Sequence, residues 1–107
     1  MPTKKQARII SLLKELAAQY LHSASNGQSL ITVTDCTISN NLKKATFFIT
    51  VYPAMKEEDT LNFAKRHRGN LREFIKDHSQ LGKLPFLEIK IDEGEKYQQK
   101  IEELLRK

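Results

Sequence analysis

Two runs of β-branched and aromatic residues, separated by a few polar residues, constrain the fold of this chain most strongly. The first is "LITVTDCTIS" at residues 30–39 and the second is "ATFFITVY" at residues 45–52, with "NNLKK" between them. Such residues favour β-strands. Strands joined by so short a connection pair antiparallel. The sequence therefore predicts a β-hairpin over residues 30–52.

The apolar residues of the first run do not alternate strictly. Ile31 and Val33 share one parity, whereas Cys36 and Ile38 share the other. Because successive side chains of a strand point to opposite faces, a regular strand would divide these four residues between two faces. One extra residue in a β-bulge would return them to the same face, so we predict a bulge near Thr34–Asp35.

Helical patterns flank the hairpin. Residues 3–22 have a broad apolar face at helical spacing, and Thr3 with Gln6 predicts a capping box at its start. After the hairpin an apolar stripe fails within two residues of Gly69. This predicts two helices, roughly residues 56–67 and 69–79, with a kink or break between them.

A third strand and a last helix complete the order. In "FLEIKI", residues 86–91, apolar residues at 87, 89 and 91 alternate with charged ones, and Asp92 with Glu95 predicts another capping box. The order α-β-β-α-kink-α-β plus a C-terminal helix predicts an α+β fold, with a three-stranded sheet and helices on one face. A chain of 107 residues is expected to form a single domain, 1–107.

The sequence also indicates where the chain resides. It contains no apolar run long enough to span a bilayer, its N-terminus shows no secretory pattern, and Cys36 is its one cysteine. We therefore expect a cytoplasmic protein without membrane association.

Positive charge is concentrated in two segments. The formal net charge is +5; residues 65–83 carry six basic and two acidic groups, and residues 1–20 carry four and one. A basic patch on an otherwise balanced protein indicates a polyanionic partner, most often nucleic acid, although lysine-rich surfaces also serve solubility.

The order of elements is similar to the type II KH fold, in which a GXXG loop joins two helices and lies close to the nucleic-acid backbone. This sequence has a single glycine, Gly69, in a basic turn. That feature and its surroundings resemble bacterial ribosome-binding factor A over essentially the whole chain.

The hairpin "ITVTDCTISNNLKKATFFITV" is the most specific match, to a family pattern of the type "VTVTDVELSPDLKHAKVYVSV". "RGNLREFI" resembles the family's Ala-x-Gly kink and the arginine that follows, which places Gly69 and Arg72 at those positions. The opening helix, last strand and closing helix are similar in "KQARII", "KLPFLEIKIDEG" and "IEELL". His67 departs from the family, which usually has alanine there, and "HSASNGQSL" replaces a stretch that often contains Asp-Pro-Arg.

The resemblance implies ribosome biogenesis. Family members bind 16S rRNA and the immature small ribosomal subunit (30S), and they support rRNA processing, especially in the cold. They are cytoplasmic assembly factors and not enzymes. The expectation for this chain is therefore no cofactor, no metal, no small-molecule substrate and a monomer when free. Its residues agree, since its histidines and Cys36 lack metal-ligand spacing and its serines lack a nearby base.

The candidate RNA-binding residues lie in the two basic segments. Lysine and arginine bind phosphates by charge, and arginine also grips two oxygens or stacks on a base. The predicted contacts are Lys65, Arg66, Arg68, Gly69, Arg72, Lys76 and Lys83, with a smaller cluster at Lys4, Lys5 and Arg8. If the turn is roughly helical, Arg68 and Arg72 share one side.

Other interpretations of these features stay open. The cations could form a solvated helix face, partly neutralised by Glu73 and Asp77, and Gly69 could cap the preceding helix in a left-handed conformation. The chain could be a KH-like domain with another RNA target. It could also be a non-catalytic protein–protein adaptor that docks through the open side of its sheet, with Phe48 facing solvent.

Overall fold

The predicted order of helices and strands is confirmed in a computed structural model that describes residues 3–25, 27 and 29–106. The elements are α1 (Lys4–Ala24), β1 (Leu30–Ile38), β2 (Lys44–Tyr52), a 3-10 turn (Ala54–Lys56), α2 (Glu57–Arg66), α3 (Arg68–His78), β3 (Phe86–Ile91) and α4 (Glu93–Leu105).

The hairpin contains the predicted bulge. β1 and β2 pair antiparallel, and the register shifts between Val33, which faces Ile49, and Asp35, which faces Phe48. Thr34 is the extra residue. As a result Val33 and Cys36 are both buried despite their opposite parity.

β3 is an edge strand, because the sheet has the order β1-β2-β3. It pairs parallel with β2, with Phe86 opposite Lys44. Parallel pairing requires a crossover connection, which α2 and α3 supply. β3 therefore begins beside the hairpin turn, where the Phe86 N–H donates to the Lys43 carbonyl at 2.8 Å.

The core lies between the sheet and the first three helices. Phe47 and Ile49 of the central strand are fully buried. The helices contribute Leu13, Leu16, Ala17 and Leu21 from α1, Ala64 from α2, and Leu71 and Ile75 from α3. Because these side chains point inward, the polar faces of the same helices form the outer surface.

His67, and not Gly69, joins α2 to α3. His67 has φ −93° and ψ 11°, values in the bridge region that non-glycine residues adopt. Its N–H donates to the carbonyls of Phe63 and Ala64, and its own carbonyl accepts from the Leu71 N–H at 2.8 Å. The predicted break is confirmed. Gly69 is the second residue of α3 and has no positive φ, so a left-handed cap there is wrong.

α4 is joined to the rest of the protein by a few polar contacts. Asp92 caps it through the Glu95 N–H at 3.0 Å and accepts a hydrogen bond from the Thr34 hydroxyl of the bulge. Of the α4 side chains that the structure describes, none is buried. None of the described helices is long and apolar enough to cross a bilayer.

Candidate nucleic-acid interface

We call residues 65–83 the basic segment. It runs from the last turn of α2 through α3 to the loop before β3. Of the six cations in the basic segment, Arg68 is half-buried. The other five are exposed: Lys65, Arg66, Arg72, Lys76 and Lys83. The fold therefore leaves most of the predicted cations accessible to solvent along this segment.

These cations are not neutralised by ion pairs. The ion pairs found among residues 3–25, 27 and 29–106 join Lys44 and Lys90 to Glu88, and Lys96 to Glu57 and Glu93. Within those ranges, neither Glu73 nor Asp77 has a carboxylate oxygen within 4 Å of a cation of the basic segment. The positive charge of the segment is therefore available to an outside anion.

The start of α3 is electrostatically unusual. Its first turn has no acidic residue, and in the described part of the chain no side chain caps it. Arg68, its first residue, opposes the positive end of the helix dipole. By contrast, α2 begins with Glu57, Glu58 and Asp59. An uncapped N-terminus with a cation beside it is suited to an anionic group such as phosphate.

Arg68 and Arg72 point to the same short segment, as their spacing predicts. The Arg72 guanidinium donates to the Pro85 carbonyl at 2.6 Å and to the Leu84 carbonyl at 3.1 Å. The Arg68 guanidinium carbon lies 5.2 Å from the centroid of the Phe86 ring. Arg72 thus holds the loop before β3, a structural role that the sequence did not indicate.

Phe86 is the residue of this region that the sequence analysis missed. A signal was present, because Phe86 has the parity of the charged Glu88 and Lys90 and not of the buried Leu87 and Ile89. An aromatic residue at an exposed position of an alternating strand is a candidate contact residue.

His67 anchors the helix junction to α1. Its Nδ1 lies 3.2 Å from the Tyr20 hydroxyl oxygen, and its ring centroid lies 4.2 Å from that of Phe63. Partial burial raises the pKa of Tyr20. The residue that departs from the family pattern is therefore accommodated by contacts within this chain.

Gly69 has no structural requirement for glycine. A Cβ built there would meet no other described atom within 4 Å, and its φ lies outside the left-handed region. What glycine provides at this exposed position is a backbone that another molecule can approach closely.

The smaller cluster, Lys4, Lys5 and Arg8, is exposed on the first turns of α1. The contact between α1 and the helix junction is made by Tyr20. Arg8 precedes Tyr20 by about 18 Å along the helix axis, at the rise of an α-helix. The structure therefore separates this cluster from the helix junction.

Cys36 is a core residue. It is buried, and burial, with a smaller effect of Asp35, raises the pKa of its thiol to about 12. In the described part of the chain no three His, Cys, Asp or Glu side chains are grouped so that they could hold a metal ion.

Comparisons with known proteins agree with this architecture. The family model of ribosome-binding factor A matches residues 5–105. The ribosome-binding factor A of Thermodesulfovibrio yellowstonii is 31% identical over 107 residues, which cover 98% of this chain and 91% of that protein.

Two structures from Thermus thermophilus have the same fold. The crystal structure of its ribosome-binding factor A has a TM-score of 0.72 at 20% identity, and the match covers 80% of this chain and 94% of that one. A homology model of that factor, fitted into a cryo-EM map of a 30S complex, has a TM-score of 0.67 at 20% identity. The match covers 76% of this chain and 88% of that one. These likenesses confirm the KH-like α+β fold. Since the family model spans nearly the whole sequence, the chain belongs to the ribosome-binding factor A family.

Proposed function

We propose that this chain is a non-catalytic assembly factor that binds 16S rRNA in immature 30S subunits through the basic segment. The observation that carries the proposal is that the six cations of the basic segment form no ion pairs in the described chain and that one of them, Arg68, lies at the uncapped N-terminus of α3. Family membership supports it, and so does the fitting of a relative of the same fold into a map of a 30S complex.

Each cation in contact with a phosphate releases counterions from the RNA, so binding weakens as salt increases. Since Arg72 donates to two carbonyls, the remaining contacts are Lys65, Arg66, Arg68, Lys76 and Lys83. On unpaired RNA these five phosphate contacts contribute about −3.5 to the log–log salt slope, and three more at the smaller cluster would add about −2.1. The cluster at Lys4, Lys5 and Arg8 forms a second contact on a different part of the rRNA.

The proposal includes the context of this binding. The protein acts in the cytoplasm as a monomer, supports rRNA maturation and needs no cofactor. It leaves the subunit before translation begins, as the family resemblance implies.

Charge removal tests the interface. The double variant Lys65→Gln, Arg66→Gln is compared with Lys100→Gln, Arg106→Gln, which removes the same charge from exposed positions in and next to α4. Binding to purified immature 30S subunits is measured across a salt series. We expect the first variant to bind roughly 20-fold more weakly at 0.1 M salt, with a slope reduced by about 1.4, and the second to bind like the wild type. Equal binding by both variants would contradict the proposed interface.

The sheet surface does not favour the adaptor alternative. Phe48 is half-buried. The carboxylate of Glu88 lies 2.6 Å from Lys44 Nζ and 3.1 Å from Lys90 Nζ. These residues make the surface charged, and they do not form the large exposed apolar patch that marks many protein–protein sites. A flat salt response in the same experiment would nevertheless support protein docking.

A further inference from the structure

An exposed aromatic ring lies beside the basic segment. Phe86, the first residue of β3, is 57% exposed. The Arg68 guanidinium carbon is 5.2 Å from its ring centroid, within the range of a cation–π interaction. Arg68 is thereby held at the start of α3, close to the ring.

The backbone beneath this ring is fixed from both sides. The Phe86 N–H donates to the Lys43 carbonyl, and Arg72 donates to the carbonyls of Leu84 and Pro85, the two preceding residues. The fixed backbone and the contact with Arg68 both restrict the ring before any ligand arrives, so less conformational entropy is lost on binding.

We propose that Phe86 and Arg68 form a stacking site for one unpaired nucleobase, with Arg68 binding the adjoining phosphate. Bases stack on aromatic rings and on guanidinium planes, and single-stranded RNA exposes the base faces that this requires. This inference rests on the proposed function and adds to it a contact that depends on the base and not on charge.

The electrostatic setting distinguishes Phe86 from the other exposed aromatic residues. Tyr52 and Tyr97 line a groove of mixed charge, which contains four acidic residues, Glu57, Glu93, Glu102 and Glu103, and three basic ones, Lys96, Lys100 and Arg106. Phe86 instead lies beside Arg68, and the nearest acid along its strand, Glu88, is already paired with Lys44 and Lys90. An aromatic surface in a positive field suits a ligand that is both planar and anionic, which a nucleotide is.

Phe86 and Arg68 are expected to contribute differently to the binding affinity and to its dependence on salt. Phe86→Ala is expected to weaken binding to immature 30S subunits about 5- to 150-fold, the effect of losing one stacked base, without changing the salt slope. Arg68→Gln should reduce the slope by about 0.7. Phe86→Tyr, which keeps a ring, should restore the affinity.

The matched control is Tyr52→Ala. Tyr52 lies at the other end of β2, about 26 Å from the position that faces Phe86, at the rise of a strand. This variant should bind like the wild type.

A fluorescence measurement tests stacking directly. The chain contains no tryptophan, so Phe86→Trp introduces a single reporter. Saturation with single-stranded oligouridylate should quench its emission, whereas an RNA duplex, whose bases are already stacked, should not. Tyr52→Trp should respond to neither.

The outcomes distinguish this inference from the function on which it rests. If the wild type binds 30S subunits but Phe86→Ala binds equally well and Phe86→Trp is not quenched at saturation, the stacking site is wrong and the proposed function stands. If the wild type does not bind the subunits, both are overturned.

Discussion

At the junction of α2 and α3, two nearby residues have roles that differ from those the sequence suggested. Gly69 was expected to make the turn, but His67 makes it, in a backbone conformation open to any residue. The His67 ring is held by Tyr20 and Phe63, and these tertiary contacts cannot be derived from local sequence. Gly69 is thus left without a structural reason to be glycine, which makes it informative to substitute.

Gly69→Ala is expected to stabilise the protein by about 0.5–1 kcal/mol, because alanine is the better helix residue and its Cβ has space. The same change should weaken binding to 30S subunits if the RNA backbone approaches this position. Urea unfolding and subunit binding are the two measurements.

Gly94→Ala is the matched control. Gly94 is also the second residue of a helix, α4, and its Cβ would make an ordinary contact with Asp92 at 3.7 Å. Gly94→Ala should raise the free energy of unfolding by a similar amount and leave binding to 30S subunits unchanged. A Gly69→Ala protein that binds like the wild type would argue against close approach of the RNA backbone.

At the level of elements, periodicity and local chemistry predicted most of the fold. The bulge followed from the parity of Val33 and Cys36, and the helix boundaries fell within a residue or two of their predicted positions. Arg72 could not be predicted in the same way. Its carbonyl partners at Leu84 and Pro85 depend on how α3 packs beside β3, and the resemblance that places Arg72 at a family arginine position does not say what the side chain contacts.

Arg72→Lys tests that structural role. The variant keeps the charge but loses the planar fork that reaches two carbonyls at once. We expect Arg72→Lys and Arg72→Ala to lower the free energy of unfolding by a similar amount, about 1 kcal/mol, in urea titrations. A lysine variant as stable as the wild type would show that charge, and not the pair of hydrogen bonds, is what this position supplies.

The stability that the hydrogen bonds of Asp92 contribute, between the bulge and α4, should depend on pH. The Thr34 hydroxyl and then the Glu95 N–H hydrogen-bond to the Asp92 carboxylate and hold its pKa below its ordinary value. A carboxyl group with a depressed folded-state pKa stabilises the fold above its unfolded pKa of about 3.9, and this contribution is lost as the pH falls through the folded-state pKa.

Asp92→Asn is therefore expected to lower stability by about 1 kcal/mol at pH 7, because the amide can still cap α4 but has lost its charge. Urea titrations from pH 7 down to pH 3 should show the difference from the wild type narrowing below about pH 4. Glu102→Gln, at an exposed position of α4 outside the cap, is the control and should show no such convergence. A constant difference across this range would contradict the assigned hydrogen bonds.

At the scale of the whole molecule, the core and the candidate interface use opposite sides of the same helices. Leu71 and Ile75 of α3 are buried in the core, while Lys76 of the same helix is exposed and Arg68 is half-buried. The fold therefore allows the charges to change with little effect on the core. α4 stands apart from this arrangement, because it contributes no described residue to the core and Tyr97 and Leu105 are exposed.

A chain truncated after Lys96 tests this division. It retains Asp92 and Lys96 but loses the rest of α4, including the hydrogen bond from Gln99 to Thr50. Because the core residues lie outside the deleted part, we expect cooperative unfolding with a loss of about 1 kcal/mol. The truncated chain should bind 30S subunits with the affinity and salt slope of the full chain, since the basic segment and Phe86 are intact. A truncated protein that still unfolds cooperatively but no longer binds would place α4 in the interface.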